Sequence, residues 1–395
     1  MIVTSSGALI GEAEKDAMHA AVDAGWLTAG PITADFERRL SQFTGIRHVH
    51  AVNSGSSANL VAVATMVEAG FWKAGDEIIT VAASFPTTVN PLLLYGLVPV
   101  FVDIELGTYN AAPETVIAAV TSRTRGVMMA HTLGNPYRVP DIGVPVIEDC
   151  CDALGSTIDG VHVGTNAHPA RPHMATCSFF PAHHITTGEG GAVFTNDALL
   201  ASIAESVRDW GRDCWCDPGK ENTCGKRFAW EWETLPKGFD HKYTYSRLGY
   251  NLKLTEIQAA CGVAQIEKLD DFVSVRRANF RYLETLFAPL AGYLILPDFT
   301  AGASPFGFPI TFRETGLRSQ AQQYLSQQGI GSRLLFAGNI TKQPYFKGRQ
   351  YRVHGELTNT DKAMNDTLWI GCHPALTQVH LDYAAQHIAT FLGEF

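Results

Sequence analysis

No lysine occurs between Lys73 and Lys220. Over that interval no side-chain amine can hold an aldehyde cofactor covalently, so lysine-based chemistry is excluded from the middle of the chain. Charge is also sparse. Charged residues make up 17%, the net charge is −9 and no long basic run occurs, which argues against nucleic acid as a partner. No apolar stretch reaches the roughly 18 residues that a membrane span needs. The N-terminus lacks a basic segment followed by an apolar one, so no signal peptide is expected and the protein reads as cytoplasmic. Internal repeats and low-complexity tracts are missing too. Eight cysteines in 395 residues do not suggest a disulfide framework. Clustered cysteines in such a protein are more often ligands or catalytic groups.

What is present is ordinary for a large globular enzyme. Hydrophobic residues make up 46% of the chain, enough for two domains or one large domain with an appendage. Residues 11–24 and 33–42 have helical apolar spacing, separated by the loop Trp26–Pro31. H-V-H-A-V then reads as a buried strand, followed by a small-residue turn at Asn53–Ser57 and a helix. Such a turn presents unpaired N–H groups and a positive dipole end to an anion such as phosphate. A plain serine N-cap explains the same residues equally well. Strands at D-E-I-I-T-V-A-A, V-P-V-F-V-D-I, T-R-G-V-M-M-A and V-P-V-I-E-D follow, with intervening helices. That alternation predicts a mostly parallel sheet covered on both faces. Ligands of such sheets sit beyond the carboxyl ends of the strands, where Ser56, Phe85 and Asp149 fall. Residues 209–242 break the pattern, and an insert this long without periodicity is usually functional. Residues 253–287 read as one or two long helices, and the remainder as a smaller α/β unit.

The segment Cys177–Val193, C-S-F-F-P-A-H-H-I-T-T-G-E-G-G-A-V, organises the rest. It resembles the cofactor-lysine segment of the DegT/DnrJ/EryC1/StrS family of sugar aminotransferases, fold-type I enzymes that depend on pyridoxal 5′-phosphate. That segment reads S-F-x-x-x-K-x-x-x-x-G-E-G-G; here Ser178 leads to His183 in the lysine's place. The resemblance runs nearly end to end. It implies an α/β, fold-type I architecture: a mostly parallel, seven-stranded-type sheet flanked by helices. Residues 1–265 would form the large cofactor-binding domain and 266–395 a smaller C-terminal α/β domain. It also implies that Gly55, Ser56 and Ser178 hold the cofactor phosphate, that Asp149 pairs with the pyridine nitrogen and that Phe85 stacks on the ring. Asp152 would belong to the cofactor site, and Asn251 would reach the phosphate of the neighbouring subunit in a homodimer. A strand-end cap for Asp149 and plain core packing for Phe85 are the alternatives.

His183 sets the expected reaction. An imidazole forms no stable covalent link to the aldehyde, and its unperturbed pKa of about 6.5 suits a general base. The cofactor would then remain free pyridoxamine 5′-phosphate, and His183 would take a proton from its methylene carbon. The chemistry is dehydration rather than transamination. The alternative is a pair of loop histidines in an inactive homologue.

Cys214, Cys216 and Cys224 lie in the insert. With Cys151 they resemble the [2Fe–2S] ligands of the family's sugar-nucleotide 3-dehydrase branch, Cys150 being the adjacent alternative. Four thiolates suit such a cluster; a Cys₄ zinc site is the alternative for the cysteines alone. The resemblance implies a nucleotide-linked 4-keto-6-deoxyhexose substrate, with cytidine diphosphate as the expected carrier. It also implies an NAD(P)H-dependent flavin/iron–sulfur reductase as partner and a place in 3,6-dideoxysugar synthesis. A branch that acts without a reductase lacks the cysteine set. Phe180, His184, Arg333 and Asn339 are candidate substrate contacts. Three departures from the branch stand out: a start without the N-terminal extension it leads one to expect, a short connection from 131 to 146 with no helix, and a long segment 166–175; Phe180 also stands where tyrosine is expected. His162, His168 and His173 read as solvated loop residues, and Cys177, Cys261 and Cys372 as buried thiols.

Overall fold

The computed structural model describes residues 1–165, 171–216 and 220–393. A central sheet has eight strands in the spatial order His48–Val52, Gly191–Thr195, His173–Ser178, Val146–Asp149, Thr124–Ala130, Glu77–Val81, Val98–Val102 and Arg352–Val353. Gly191–Thr195 runs antiparallel to both neighbours, and every other pairing is parallel. This is the expected mostly parallel sheet with one short edge strand added. Electrostatics hold that edge. Arg352 donates to the buried carboxylate of Glu77 at 2.9 Å and to the Ala119 carbonyl at 2.7 Å. The C-terminal part of the chain therefore completes the large sheet.

Glu77–Val81 and Val98–Val102 are buried at every position, as strands covered on both faces must be. Successive residues serve opposite faces. Ile78, Met128, Ile147 and Met174 pack under the helices Gly55–Glu68 and Ala198–Arg208. Ile79, Val127 and Met129 pack on the other side with Tyr109 and Leu133.

A second, antiparallel sheet has the order Leu294–Ile295, Gly307–Phe312, Thr367–Gly371, Ser332–Leu334. Phe280, Phe287, Phe308, Ile310, Leu368 and Ile388 form its core, and Val3 from the start of the chain packs into it. The expected long helical stretch is two helices, Glu256–Ile266 and Leu269–Phe287. The second buries Leu269, Val273, Arg276, Phe280, Leu283 and Phe287, an unbroken three-and-four spacing with one arginine in it.

Between 131 and 146 there is only the single turn Thr132–Gly134, so the short connection carries no α-helix, as expected. Within 209–242, the described residues hold no α-helix or strand; the one-turn helix His241–Tyr243 closes the insert. Of the long segment 166–175, residues 166–170, including His168, lie outside the described residues. Among the described residues no helix is long and apolar enough to cross a membrane.

Candidate active site

The turn after His48–Val52 is built by close backbone approach. Ser54 caps the helix Gly55–Glu68, its hydroxyl accepting from the Ser57 N–H. A Cβ on Gly55 would lie 2.5 Å from Ser178 Cβ and 3.2 Å from Cys151 Sγ, so only glycine lets the helix start against the next strand. The G-E-G-G motif has the same steric origin. A Cβ on Gly191 would meet the Ser54 carbonyl at 2.5 Å, and one on Gly190 would meet Thr187 Oγ1 at 2.1 Å. Gly55, Ser56 and Ser178 thus share one cradle at a helix N-terminus, suited to phosphate. Phe85 follows the strand Glu77–Val81 and caps the helix Pro86–Leu94. Its ring is 52% exposed, which leaves a face free for a planar ligand.

Asp149 ends its strand and is buried. Its Oδ2 accepts from Asn59 Nδ2 at 2.8 Å and Thr88 Oγ1 at 2.7 Å, and its Oδ1 from the Cys151 N–H at 3.1 Å. Asn59 is itself fixed, its Oδ1 accepting from Thr176 Oγ1 at 2.7 Å. A carboxylate held this way, next to a phosphate cradle and an open aromatic face, has the chemistry a protonated pyridine nitrogen requires. These residues fit a pyridoxal- or pyridoxamine-phosphate group.

His183 is held from three sides. Its backbone carbonyl accepts from Arg276 Nη2 at 3.1 Å, its N–H donates to the Phe180 carbonyl at 2.9 Å, and its ring lies 5.1 Å from that of Phe306. Its Nδ1 is 3.4 Å from Asp152 Oδ1. Burial pushes the Asp152 carboxyl up, and His183 partly offsets this. Asp152 Oδ2 is buried without a hydrogen-bond partner among the described residues. With Nδ1 facing a carboxylate, Nε2 is the nitrogen left to accept a proton.

The other expected contacts divide. Phe180 is half-exposed at the mouth of the site, and Arg333 is exposed on a short strand. His184 turns inward: Nε2 bonds the Ser304 carbonyl at 3.0 Å, and burial keeps the ring neutral. Asn339 is buried, with Nδ2 on Asp361 at 2.8 Å and Oδ1 accepting from Thr341. Packing thus occupies His184 Nε2 and both ends of the Asn339 amide, while His184 Nδ1 is buried without a hydrogen-bond partner among the described residues. Asn251 is exposed and bridges to Asp209, beside its own chain's Asn53 turn.

Sequence reasoning missed Asn59, Thr88, Arg276 and His241. Arg276 had a legible signal, a charge in the middle of an apolar helical stripe. The others had none, because their roles depend on partners far away in sequence.

The cysteines separate into two places. Cys214, Cys216 and Cys224 converge on His241 Nε2, at 3.4, 3.7 and 3.5 Å. Cys151 lies in the phosphate cradle instead. It follows the strand Val146–Asp149 with its sulfur towards Gly55, and among the described residues it makes no hydrogen bond to the three. Cys150 is buried behind, against Glu148 and Cys177. His173 is no solvated loop residue either. It opens a strand, buried, and bonds Glu148 Oε1 at 2.9 Å, while His131 bonds Oε2 at 2.9 Å. Burial alone would raise the Glu148 pKa, yet the two imidazole bonds hold it well below the usual carboxylate range. His162 packs against the Phe43 ring at 4.9 Å.

The central sheet, the glycine-built cradle and the buried Asp149 have the fold-type I architecture of pyridoxal-phosphate-dependent transferases. A profile of the DegT/DnrJ/EryC1/StrS aminotransferase family matches residues 8–389, and the chain belongs to that family. It is 50% identical to the lipopolysaccharide biosynthesis protein RfbH of Salmonella typhimurium, with 99% of this chain and 92% of that protein covered. It is 46% identical to the dTDP-4-dehydro-2,6-dideoxy-D-glucose 3-dehydratase of Saccharopolyspora spinosa, over 99% of this chain and 87% of that enzyme. Among solved structures, the E. coli GDP-4-keto-6-deoxy-D-mannose-3-dehydratase with bound hydrated PLP superposes with a TM-score of 0.87. It shares 27% identity, with 98% of this chain and 100% of that chain covered.

Proposed function

We propose that this chain catalyses C3 dehydration of a nucleotide-linked 4-keto-6-deoxyhexose in 3,6-dideoxysugar synthesis, with cytidine diphosphate as the carrier. The observation that carries this reading is His183, backed by Asp152, at the position where the family's aminotransferases place a lysine. Bound pyridoxamine phosphate would supply an amine for the sugar ketone and a ring that accepts electron density. Gly55, Ser56 and Ser178 hold its phosphate, Phe85 covers the ring and Asp149 keeps the ring nitrogen protonated. His183 Nε2 removes the proton, and Asp152 stabilises the imidazolium that results. The chain acts as a homodimer, Asn251 reaching the partner's phosphate, with residues 1–265 and 266–395 as its two domains.

Cys214, Cys216 and Cys224, gathered in one place, would supply thiolates to a [2Fe–2S] centre, and such a centre would supply one-electron transfer from an NAD(P)H-dependent flavin/iron–sulfur reductase. The second reading is a dehydratase that needs no reductase, favoured by the superposition on the GDP-sugar enzyme.

Anaerobically purified protein, loaded with pyridoxamine phosphate, tests both. About two irons and two sulfides per chain are expected for a [2Fe–2S] centre. Added CDP-4-keto-6-deoxyglucose should cause exchange of a cofactor methylene hydrogen with solvent, and His183→Asn should abolish that exchange. Exchange without iron would select the reductase-independent reading. No exchange with CDP-, dTDP- or GDP-linked substrate would sink the enzymatic one.

A further inference from the structure

One residue beside the site holds a backbone conformation that bulky side chains avoid. Phe336 has φ +48°. It follows the strand Ser332–Leu334 of the small sheet and stands second in a turn, which the Gly338 N–H closes on the Leu335 carbonyl at 2.9 Å. A positive φ at the first central position of a turn is usually left to glycine, because a Cβ there crowds the backbone. Glycine comes two residues later, at 338, so this turn carries a bulky aromatic at its strained position. Such strain persists only where the surrounding structure over-determines it, and it collects at functional sites.

The surroundings here are the turn that carries Phe85. The Ala337 N–H donates to the Ser84 carbonyl at 3.2 Å, Asn339 forms an antiparallel bridge with Ala83, and the Ile340 N–H donates to the Ala82 carbonyl at 3.0 Å. Gln343 Nε2 ties back to the Ala337 carbonyl at 2.8 Å. The two chain segments are thus laced together on both sides of one aromatic contact. The Phe336 ring stands edge-on to that of Phe85, with centroids 6.4 Å apart and planes at 74°. Phe336 is half-buried on the apolar cluster around Leu133 and Leu335, whereas Phe85 is exposed. An exposed phenyl side chain has free rotamers to lose, and a fixed neighbour narrows them before a ligand arrives.

We propose that Phe336 is a positioning residue, its strained turn holding the Phe85 ring in the orientation that covers the cofactor ring. The proposal rests on the preceding reading that Phe85 stacks on pyridoxamine phosphate. A segment from the C-terminal part of the chain thereby sets one wall of the cofactor pocket without touching the cofactor.

The test uses the full chain as parent, Phe336→Gly, Phe336→Ala, Phe85→Ala and the double variant Phe85→Ala/Phe336→Gly. Pyridoxamine phosphate is titrated into each, and both its dissociation constant and the induced circular dichroism of its near-ultraviolet band are read. Phe336→Gly and Phe336→Ala should each weaken binding roughly 2- to 10-fold, the scale of one edge-on aromatic pair, and shrink the induced band. Phe336→Gly should unfold at a higher urea concentration than Phe336→Ala, because only glycine takes the positive φ without strain. Equal binding losses in two variants of unequal stability would separate the ring's role from that of the fold. In the Phe85→Ala background, Phe336→Gly should add no further loss. The same loss with and without the Phe85 ring would overturn the proposal, since Phe336 would then act by another route. Unchanged binding and dichroism in Phe336→Gly, with both diminished in Phe85→Ala, would overturn it too and leave the stacking reading standing. If Phe85→Ala itself matched the parent, the stacking reading would fall and the positioning role with it.

Discussion

Nδ1 of His183 lies 3.4 Å from Oδ1 of Asp152, and the backbone of the same histidine is tied to Arg276. The first places a carboxylate beside one ring nitrogen, and the second fixes the backbone. Removing the carboxylate charge while keeping its shape should separate them. Asp152→Asn is expected to slow dehydration roughly 10- to 100-fold, the usual cost of losing a group that orients a functional histidine. Cofactor affinity should change little. Single-turnover kinetics with a separate pyridoxamine phosphate titration would measure both. An unchanged rate would remove Asp152 from the proton-transfer machinery.

Arg276 is fully buried and donates to the carbonyls of Phe306 at 3.1 Å and His183 at 3.1 Å. Arg276→Ala leaves two buried carbonyls short of a donor and opens a cavity in an apolar stripe. A loss of about 3 kcal/mol in unfolding free energy is expected, near the large end for single changes. Urea unfolding measures it. Arg276→Met, which fills the volume without the hydrogen bonds, should recover part of the stability but not the rate. Equal activity in Arg276→Met and the parent would show that the histidine needs no such anchor.

Gly55→Ala tests the cradle. The new methyl would sit 2.5 Å from Ser178 Cβ, well inside contact distance, so the helix start must move. The cost is expected at about 1–3 kcal/mol of stability, as for other overpacked sites. Phosphate-dependent cofactor binding should weaken more than stability does, because the displaced N–H groups are the ones that face the anion. Comparing pyridoxamine phosphate with pyridoxamine by absorbance titration isolates that effect. If both ligands bound the variant as they bind the parent, Gly55 would not be a phosphate contact.

Acid stability should show the buried Glu14. Burial alone would raise its pKa, but Lys268 at 2.5 Å, Gln265 at 2.7 Å and the Gly11 N–H at 2.8 Å bring it down to about 2. A folded value below the unfolded one means that the contribution is complete above about pH 4.5 and is lost as pH falls towards 2. Glu14→Gln should be less stable than the parent at neutral pH, and the gap should narrow through that window. Denaturant midpoints at pH 7 and at pH 3 give the comparison. A gap that stayed constant would assign the effect to packing rather than charge.

Much of this protein was legible in one dimension. The strand runs, the turn at Asn53–Ser57, the helix after Phe85, the Asp149 strand end and the histidine at position 183 are local patterns. Each is fixed by periodicity, steric freedom or residue chemistry within a few neighbours. Gly55, Gly190 and Gly191 were readable as a motif, although the reason for them, contact with Ser178, Thr187 and Ser54, is tertiary.

The sequence by itself determined the alternating α/β architecture and the loss of the lysine, because both depend only on which residues stand at which spacing. Tertiary structure alone decided which groups meet. It turned His184 and the Asn339 amide into the fold, where Ser304 takes one imidazole nitrogen and Asp361 the amide. It joined His173 to Glu148 across two strands, and Asn59 and Thr88 to Asp149 from two helices. It also set His241, rather than Cys151, beside the three thiols. Such pairings are long-range, so no local pattern encodes them. They arise when the sheet and helices bury their apolar faces and leave each remaining polar atom to find the nearest partner.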